Sequence, residues 1–165
     1  MKKPAFTDIF PLPDQVKTLQ VFIGNWDLEG TLIFRGKTFK VKGLGKFTSV
    51  AAGWGILSIV KMGVEDLGTY EEVDILGFNR SEQMFHFFAL TNTAAAYDHK
   101  GEWKDNKTIN FVYEGQQYGK TYKEELEIKI QNSSELTICE NDYLDGQLIT
   151  TMSVKLKKQI SEALT

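Results

Sequence analysis

The sequence predicts an all-β protein, an up-and-down antiparallel β-barrel of about nine to ten strands with a short N-terminal helix. From residue 25 onward, apolar side chains recur at every second position, as in strands with one dry and one solvated face. Turn-forming pairs such as Asp105-Asn106 and Asp145-Gly146 separate these runs, and no helical crossover interrupts them. Because such a meander either leaves two unpaired edges or closes on itself, we expect closure. A barrel of this strand number is wide enough to hold a small ligand.

The N-terminal region divides into an extended arm over residues 1–11 and a short helix over residues 12–23. Pro13 suits the first turn of a helix, where its missing N–H is not needed, and Gly24 is a typical stop. We expect one domain over residues 1–165, in which the helix closes one end of a barrel spanning residues 25–158. The apolar residues that share one side of this helix are Val16, Leu19 and either Phe22 or Ile23.

Strict alternation assigns the individual strands. Each run places its apolar residues on one parity and charged or polar residues on the other, which is the pattern of a half-buried strand. The clearest runs are Trp26–Phe34, Phe39–Phe47, Ile109–Tyr113, Leu126–Ile130 and Leu148–Leu156.

Composition and charge exclude several classes of protein. The 165 residues carry 19 basic and 22 acidic side chains, a net charge of −3, which argues against a nucleic-acid-binding protein. The single cysteine, Cys139, excludes an internal disulfide framework and a cysteine-rich zinc site. No run approaches the ~18 apolar residues of a membrane span. The start, Met1-Lys2-Lys3, is not followed by the apolar stretch of a signal peptide, so we expect a cytoplasmic protein. The sequence leaves a homodimer open.

The junction between helix and first strand carries a recognisable motif. Gly24-Asn25-Trp26 resembles the Gly-x-Trp signature that opens lipocalins, fatty-acid-binding proteins and their relatives, the calycin superfamily. The wider frame over residues 19–30 is most similar to a group of uncharacterised bacterial lipocalin-like proteins. The resemblance implies a β-barrel in which Trp26 closes one end.

Departures from the family pattern bear on Trp26 first. Lipocalins carry a late arginine that packs over the signature tryptophan, whereas this chain has only Arg35 and Arg80. Lys155 or Lys157 could take that place, although an ammonium group does not stack as a guanidinium does.

Other departures argue against the family's usual ligands and cofactors. Fatty-acid-binding proteins hold the ligand carboxylate with an Arg-x-Tyr in a late strand, and residues 151–154 contain neither residue. Related haem-binding barrels use a histidine near the C-terminus, and no histidine lies beyond His99. A metal site needs converging ligands, whereas His86, His99 and Cys139 fall on separate predicted strands. We therefore expect neither a cofactor nor a metal.

Aromatic residues are the first candidates for a ligand site. Trp26 would close the barrel and contribute to a ligand floor. A further set shares the expected inward parity, and these rings either fill a packed core or line a cavity suited to an apolar ligand. The members of this set are Phe34, Phe39, Phe47, Phe111 and Tyr113.

The two histidines are candidates for a polar contact. His86 lies in the most apolar run, residues 84–90, and is interpreted either as a hydrogen-bonded, partly buried ring or as a polar handle or general base. The inward face of that strand cannot be assigned. His99 is expected to be solvated, with Tyr97 on the same parity.

Four acidic residues share their parity with apolar neighbours: Glu72, Asp74, Glu124 and Glu140. If such a group points into the barrel, desolvation should raise its pKa, which makes it a candidate ligand contact or acid–base residue. The favoured expectation is that they lie near strand ends and stay solvated.

The leading functional hypothesis is non-covalent binding of a small apolar or amphipathic molecule inside the barrel. Inward aromatic residues would supply buried area, and polar groups would orient the ligand, chiefly His86, Tyr97, Tyr113 and Glu124. One alternative is an enzyme of isomerase, cyclase or hydrolase type that uses a buried His or Glu, for which no catalytic residue can be named. Another is a protein-interaction module with a closed core, since fold alone does not decide function.

Overall fold

The computed structural model describes residues 6–160, with side chains from residue 8 onward. One helical turn, α1 (Phe6–Ile9), lies within the stretch of residues 1–11 that was expected to be an extended arm. Residues 10 and 11 belong to no helix or strand, and residues 1–5 of the expected arm lie outside the described residues. The helix expected over residues 12–23 consists of α2 (Asp14–Lys17) followed by a 3₁₀ turn (Thr18–Phe22). Within the described chain, no helix has the length and hydropathy needed to cross a bilayer.

Ten antiparallel strands form a closed barrel, which confirms the predicted fold class. Each strand pairs with the next along the chain, and the first pairs with the last. The strands are β1 (Gly24–Phe34), β2 (Lys37–Val50), β3 (Gly55–Val64), β4 (Gly68–Asn79), β5 (Met84–Thr91), β6 (Ala96–Trp103), β7 (Thr108–Gln117), β8 (Lys120–Asn132), β9 (Glu135–Leu144) and β10 (Gln147–Lys158).

Alternation decides which side chains face the interior. In β1, Trp26 and Leu28 are buried whereas Asp27 and Glu29 are exposed, and β3, β7 and β8 show the same kind of alternation over parts of their length. Odd-numbered strands run away from the N-terminal helix and even-numbered strands run back towards it. The interior therefore has a helix end, where β1 begins, and an opposite end, where β1 finishes at Phe34.

The helix end is closed by apolar packing around Trp26. This side chain is fully buried, and its indole Nε1 donates a hydrogen bond to the Phe22 carbonyl oxygen at 2.8 Å. The Trp103 indole donates to the Gln15 carbonyl oxygen at 3.1 Å, which ties the helix to β6. The helical residues buried against this end are Val16, Leu19 and Phe22.

The cation over Trp26 is Lys158, so the expectation of Lys155 or Lys157 was wrong. The Lys158 Nζ lies 5.0 Å from the Trp26 ring centroid and donates to the Val21 carbonyl oxygen at 3.1 Å. Trp26 and Lys158 are direct partners in the β1–β10 register, so their side chains share one face. Lys155 and Lys157 have the opposite parity and are exposed.

Candidate functional site: an interior cavity with acidic side chains

A cavity of about 60 Å³ lies within the barrel. Most of its wall is hydrocarbon, contributed by residues such as Met62, Leu126 and Met152. A smaller apolar void of about 20 Å³ lies on the helix side of it, where Phe22 and Ile56 contribute to the wall. The two spaces share the side chains of Phe47, Phe87, Ile128 and Ile138.

Four carboxyl groups interrupt the apolar wall: Glu72, Asp74, Glu124 and Glu140. The parity predicted for them holds, but the expectation that they stay solvated was wrong for Asp74 and Glu124, which are 3% and 8% exposed. Glu72 and Asp74 are successive inward positions of β4, while Glu124 and Glu140 come from β8 and β9. A fifth acid, Asp142, has the same parity as Glu140, and the sequence analysis missed it although the alternation of β9 carried the signal.

Burial changes the protonation of these acids. Loss of solvation raises the pKa of Asp74 to about 6, against the lowering effect of a hydrogen bond from the Ser58 hydroxyl. The pKa of Asp142 also rises to about 6, mainly because of burial and then because of the Glu124 charge. Burial, followed by repulsion from neighbouring acids, raises the pKa values of Glu72 and Glu140 well above the usual range. Burial therefore favours the protonated form of these carboxyl groups more than water does.

Asp74 has one carboxyl oxygen without a donor. Its Oδ2 accepts the Ser58 hydroxyl, whereas Oδ1 is buried and has no hydrogen-bond partner among the described residues. The adjacent Glu72 is itself a carboxyl group, so it can donate to Asp74 only while it holds a proton. Two neighbouring carboxyl groups in a low-dielectric cavity cannot both ionise cheaply unless a cation joins them.

His99 is fully buried and paired with Glu124, so the expectation that His99 is solvated was wrong. Its Nδ1 lies 3.1 Å from the Phe87 carbonyl oxygen, which can only accept, so Nδ1 carries a hydrogen. Its Nε2 lies 2.8 Å from Glu124 Oε1, and the Tyr122 hydroxyl donates to Glu124 Oε2 at 3.1 Å. The His99–Glu124 contact therefore contains one proton, held either as imidazolium with carboxylate or as imidazole with carboxylic acid.

A tyrosine cluster (Tyr97, Tyr113 and Tyr122) surrounds this pair. The Tyr97 and Tyr113 ring centroids are 4.4 Å apart, and Tyr122 lies 5.5 Å from Tyr97. Burial and the Glu124 charge raise the pKa values of Tyr97 and Tyr122, so both phenols stay protonated and can donate hydrogen bonds. Of this cluster, the sequence analysis singled out Tyr97 and Tyr113.

The aromatic residues predicted as ligand contacts fall in different places. Phe47 lines both voids and packs edge to face against Trp26, with 6.4 Å between the ring centroids. Phe111 is fully buried and packs against Phe87, with 5.5 Å between ring centroids. Phe34 lies at the end of β1 opposite the helix, beneath the Arg35 guanidinium at 5.0 Å. Of the residues predicted to bind ligand, the cavity wall contains Phe47 and Glu124.

His86 lies on the outer wall of the barrel. Phe85, Phe87 and Ala89 take the inner face of β5, so the intervening His86 points away from the cavity. Its Nδ1 lies 3.0 Å from Asp98 Oδ1. At this position His86 contacts a neighbouring surface carboxylate and does not reach the cavity.

Three acids come close enough together to be considered as ligands for an ion. One carboxylate oxygen from each of Glu124, Glu140 and Asp142 lies within 4.8 Å of the others. The sequence analysis, which considered histidines and the cysteine, missed this grouping. Because both Glu124 oxygens are already engaged in hydrogen bonds, one with His99 and one with Tyr122, we assign no ion to this group.

Comparison with known proteins identifies the fold. No family model matches the sequence, and no curated protein matches it. The S-type phycobiliprotein lyase CPES from Guillardia theta is similar in structure, with a TM-score of 0.59 and 12% identity over 97% of this chain and 100% of that one. The structure of EF1p2_mFAP2b bound to DFHBI is similar over 88% of this chain and 99% of that one, with a TM-score of 0.51 and 10% identity. At these identities the likeness shows the fold alone, a closed antiparallel β-barrel.

Proposed function

We propose that this protein binds a small, largely apolar molecule inside the barrel. The observation that carries the proposal is the interior cavity, whose hydrocarbon wall is interrupted by a few converging polar groups. That composition is typical of ligand sites, where apolar surface supplies the free energy of binding and polar groups set orientation. The barrel likeness supports the proposal, because a barrel of similar fold is described as bound to DFHBI.

The size of the cavity limits the ligand. A single water needs roughly 10–15 Å³ by the same measure, so about 60 Å³ holds only a few heavy atoms. Met62 and Met152 line the wall, and their unbranched side chains can move to enlarge the space. The ligand is therefore a compact molecule, or a larger one that inserts a compact part.

A matched pair of variants tests whether the cavity is the binding site. Val60→Phe adds bulk to the cavity wall, whereas Val112→Phe makes the same change on the outer wall, where Val112 is 38% exposed. Wild-type protein and both variants would be purified from the protein's own host and compared by native mass spectrometry, with thermal unfolding as the check on folding.

We expect a recurring small-molecule adduct on wild type and Val112→Phe that is absent from Val60→Phe and released on denaturation. If no form carries an adduct and a panel of apolar dyes also fails to bind, the proposal is wrong. The barrel would then be better described as an interaction module with a packed core.

The His99–Glu124 pair favours a second candidate function, acid–base catalysis in the same cavity. Glu124 lines the cavity and shares one proton with a fully buried imidazole, which is the arrangement that a proton-transferring enzyme needs. Glu124→Gln keeps the shape but removes the acid. In an enzyme this variant should abolish turnover while ligand still binds; in a binding protein only the affinity should change.

A further inference from the structure

We propose that the polar group of the ligand is a protonated nitrogen held by Glu72 and Asp74, so that the cavity selects compact organic cations of the alkylammonium class. This inference rests on the proposed function, since it assigns a ligand chemistry to the same cavity.

The charges inside the barrel are unbalanced. Four carboxyl groups line the cavity, with Asp142 beside them, and the basic group among them is His99, which Glu124 already engages. Within residues 8–160, the lysines and arginines that form ion pairs do so with other acids. Glu72, Asp74 and Glu140 thus lack a cationic partner in the described part of the chain.

The geometry at Asp74 calls for a donor from the ligand. Its Oδ1 is buried in the cavity wall, and no N–H or hydroxyl group of the described residues donates to it. The neighbouring Glu72 carboxyl can hydrogen-bond to Asp74 only by sharing a proton, and a bound cation would take the place of that proton. An ammonium group offers three N–H donors and a positive charge, so it can satisfy both carboxylates at once. A hydroxyl group offers one donor and no charge, and an anion would be repelled.

The apolar void on the helix side gives the ligand a direction. With the nitrogen at Glu72 and Asp74, a short alkyl chain would extend towards Ile56 and Leu76, where the wall is hydrocarbon. An amphipathic cation matches both parts of the cavity, whereas a purely apolar molecule leaves the carboxyl groups desolvated and without a partner.

A divalent metal ion fits the same acids less well. Calcium takes six to eight oxygen ligands, and magnesium keeps several of its waters. The wall around Glu72 and Asp74 offers mainly hydrocarbon, including Met62 and Val60, in a space of about 60 Å³. We therefore favour the organic cation and treat metal binding as a contrary outcome of the test.

Protons and the ligand cation compete for the same carboxyl groups. Glu72 and Asp74 face each other, Tyr70 on their own strand, and Glu124 and Glu140 on β8 and β9, and Asp74 also interacts with His99. Asp142 and the tyrosines Tyr97 and Tyr122 interact with Glu124. Since burial raises the pKa of Asp74 to about 6, acid should displace the ligand cation. Affinity should rise between pH 5 and pH 7.5, with protons released on binding.

The test is isothermal titration calorimetry of the full chain at pH 7.5 with three probes of equal carbon number: n-propylammonium, n-propanol and propionate. We expect n-propylammonium to bind at least about tenfold more tightly than n-propanol, because a charge-assisted contact replaces a single neutral one. Propionate should bind most weakly. At pH 5 the preference for n-propylammonium should shrink.

Three variants test whether the Glu72 and Asp74 carboxyl groups cause the preference for n-propylammonium. Glu72→Gln and Asp74→Asn should each lose about tenfold in affinity for n-propylammonium, one decade per lost charged contact, while binding of n-propanol stays nearly unchanged. Glu71→Gln is the matched control, because Glu71 lies next to Glu72 but points outward and pairs with Lys61 at 2.6 Å. It should bind all three probes like the wild type.

Each contrary result has a separate meaning. Equal affinity for n-propanol and n-propylammonium, or no effect of Glu72→Gln and Asp74→Asn, would overturn the cation assignment and leave the proposed function standing. Binding of Ca²⁺ or Mg²⁺ without binding of n-propylammonium would overturn it in favour of a metal site. Failure of all three probes, together with the absence of any adduct in native mass spectrometry, would overturn the proposed function as well.

Discussion

The two ends of the barrel interior are built by one closed sheet yet differ in chemistry. At the helix end, Trp26 is buried among apolar side chains and its indole N–H is satisfied by Phe22. Towards the other end, inward positions of β4, β8 and β9 carry carboxyl groups such as Asp74, and no N–H or hydroxyl group in the described part of the chain donates to Asp74 Oδ1. Alternation dictates only that a side chain points inward. The type of residue at each inward position decides its effect. An apolar side chain stabilises the fold, whereas a carboxyl group is unfavourably buried unless a ligand contacts it.

Trp26→Ala should have the largest effect on stability. Removing a fully buried aromatic side chain from a close-packed region should lower the free energy of unfolding by about 3–5 kcal/mol. Chemical denaturation followed by circular dichroism measures the change. Tyr118→Ala, at a side chain that is 91% exposed, should leave stability nearly unchanged. A loss at Trp26 no larger than at Tyr118 would contradict the stabilising role of the helix end.

His99→Leu should have the next largest effect. It removes one partner of a buried pair, which leaves the Glu124 carboxyl desolvated, and we expect a loss of about 3 kcal/mol at pH 7.5. The double variant His99→Leu/Glu124→Leu removes both partners and should recover part of that loss. If the double variant is less stable than the wild type by the sum of the losses of the two single variants, the two groups are not coupled.

Asp74→Asn should stabilise the ligand-free protein at high pH. The folded-state pKa of Asp74 is raised from 3.8 to about 6, so the folded state binds more protons than the unfolded state. The stability contributed by the protonated group is present below pH 4 and is lost as the pH rises through 6. One pKa unit corresponds to 1.36 kcal/mol, so removing this charge should raise the free energy of unfolding by at most about 3 kcal/mol at pH 8.

Thermal unfolding of the wild type and Asp74→Asn at pH 5 and pH 8 checks this prediction. The stability difference between the two proteins should be larger at pH 8 than at pH 5. A wild-type protein that becomes more stable than Asp74→Asn on going to pH 8 would show that Asp74 is ionised and satisfied without a ligand.

His86→Ala should have the smallest effect. The ring lies on the outer wall and contacts the Asp98 and Glu82 carboxylates, and surface contacts of this kind contribute about 0–1 kcal/mol. Measuring His86→Ala and His99→Leu in the same denaturation experiment compares a histidine on the outer wall with one in the interior. A loss comparable to that of His99→Leu would mean that β5 presents its other face to the interior.

The sequence predicted the barrel because alternation and turn residues recur along the whole chain. It did not predict which face of β5 is inward, since a shift of one residue in a turn exchanges the two faces of a strand. His99 was expected in solvent because residues 97–101 could form either a strand or a turn, and a turn would have left the ring exposed. The parity of Glu72 and Asp74 was readable, but their burial depends on how deep each position lies in the barrel. That depth follows from strand stagger, which one sequence does not reveal.

Methionine methyl groups offer the most direct test of ligand binding inside the barrel. The chain has four methionines: Met62 and Met152 line the cavity, Met84 has the outward parity of β5, and Met1 lies outside the described residues. In protein labelled with ¹³C-methyl methionine and titrated with n-propylammonium at pH 7.5, we predict that the Met62 and Met152 signals shift together and saturate while Met84 stays unchanged. Saturating shifts at Met84 with none at Met62 and Met152 would place binding outside the barrel and contradict the account.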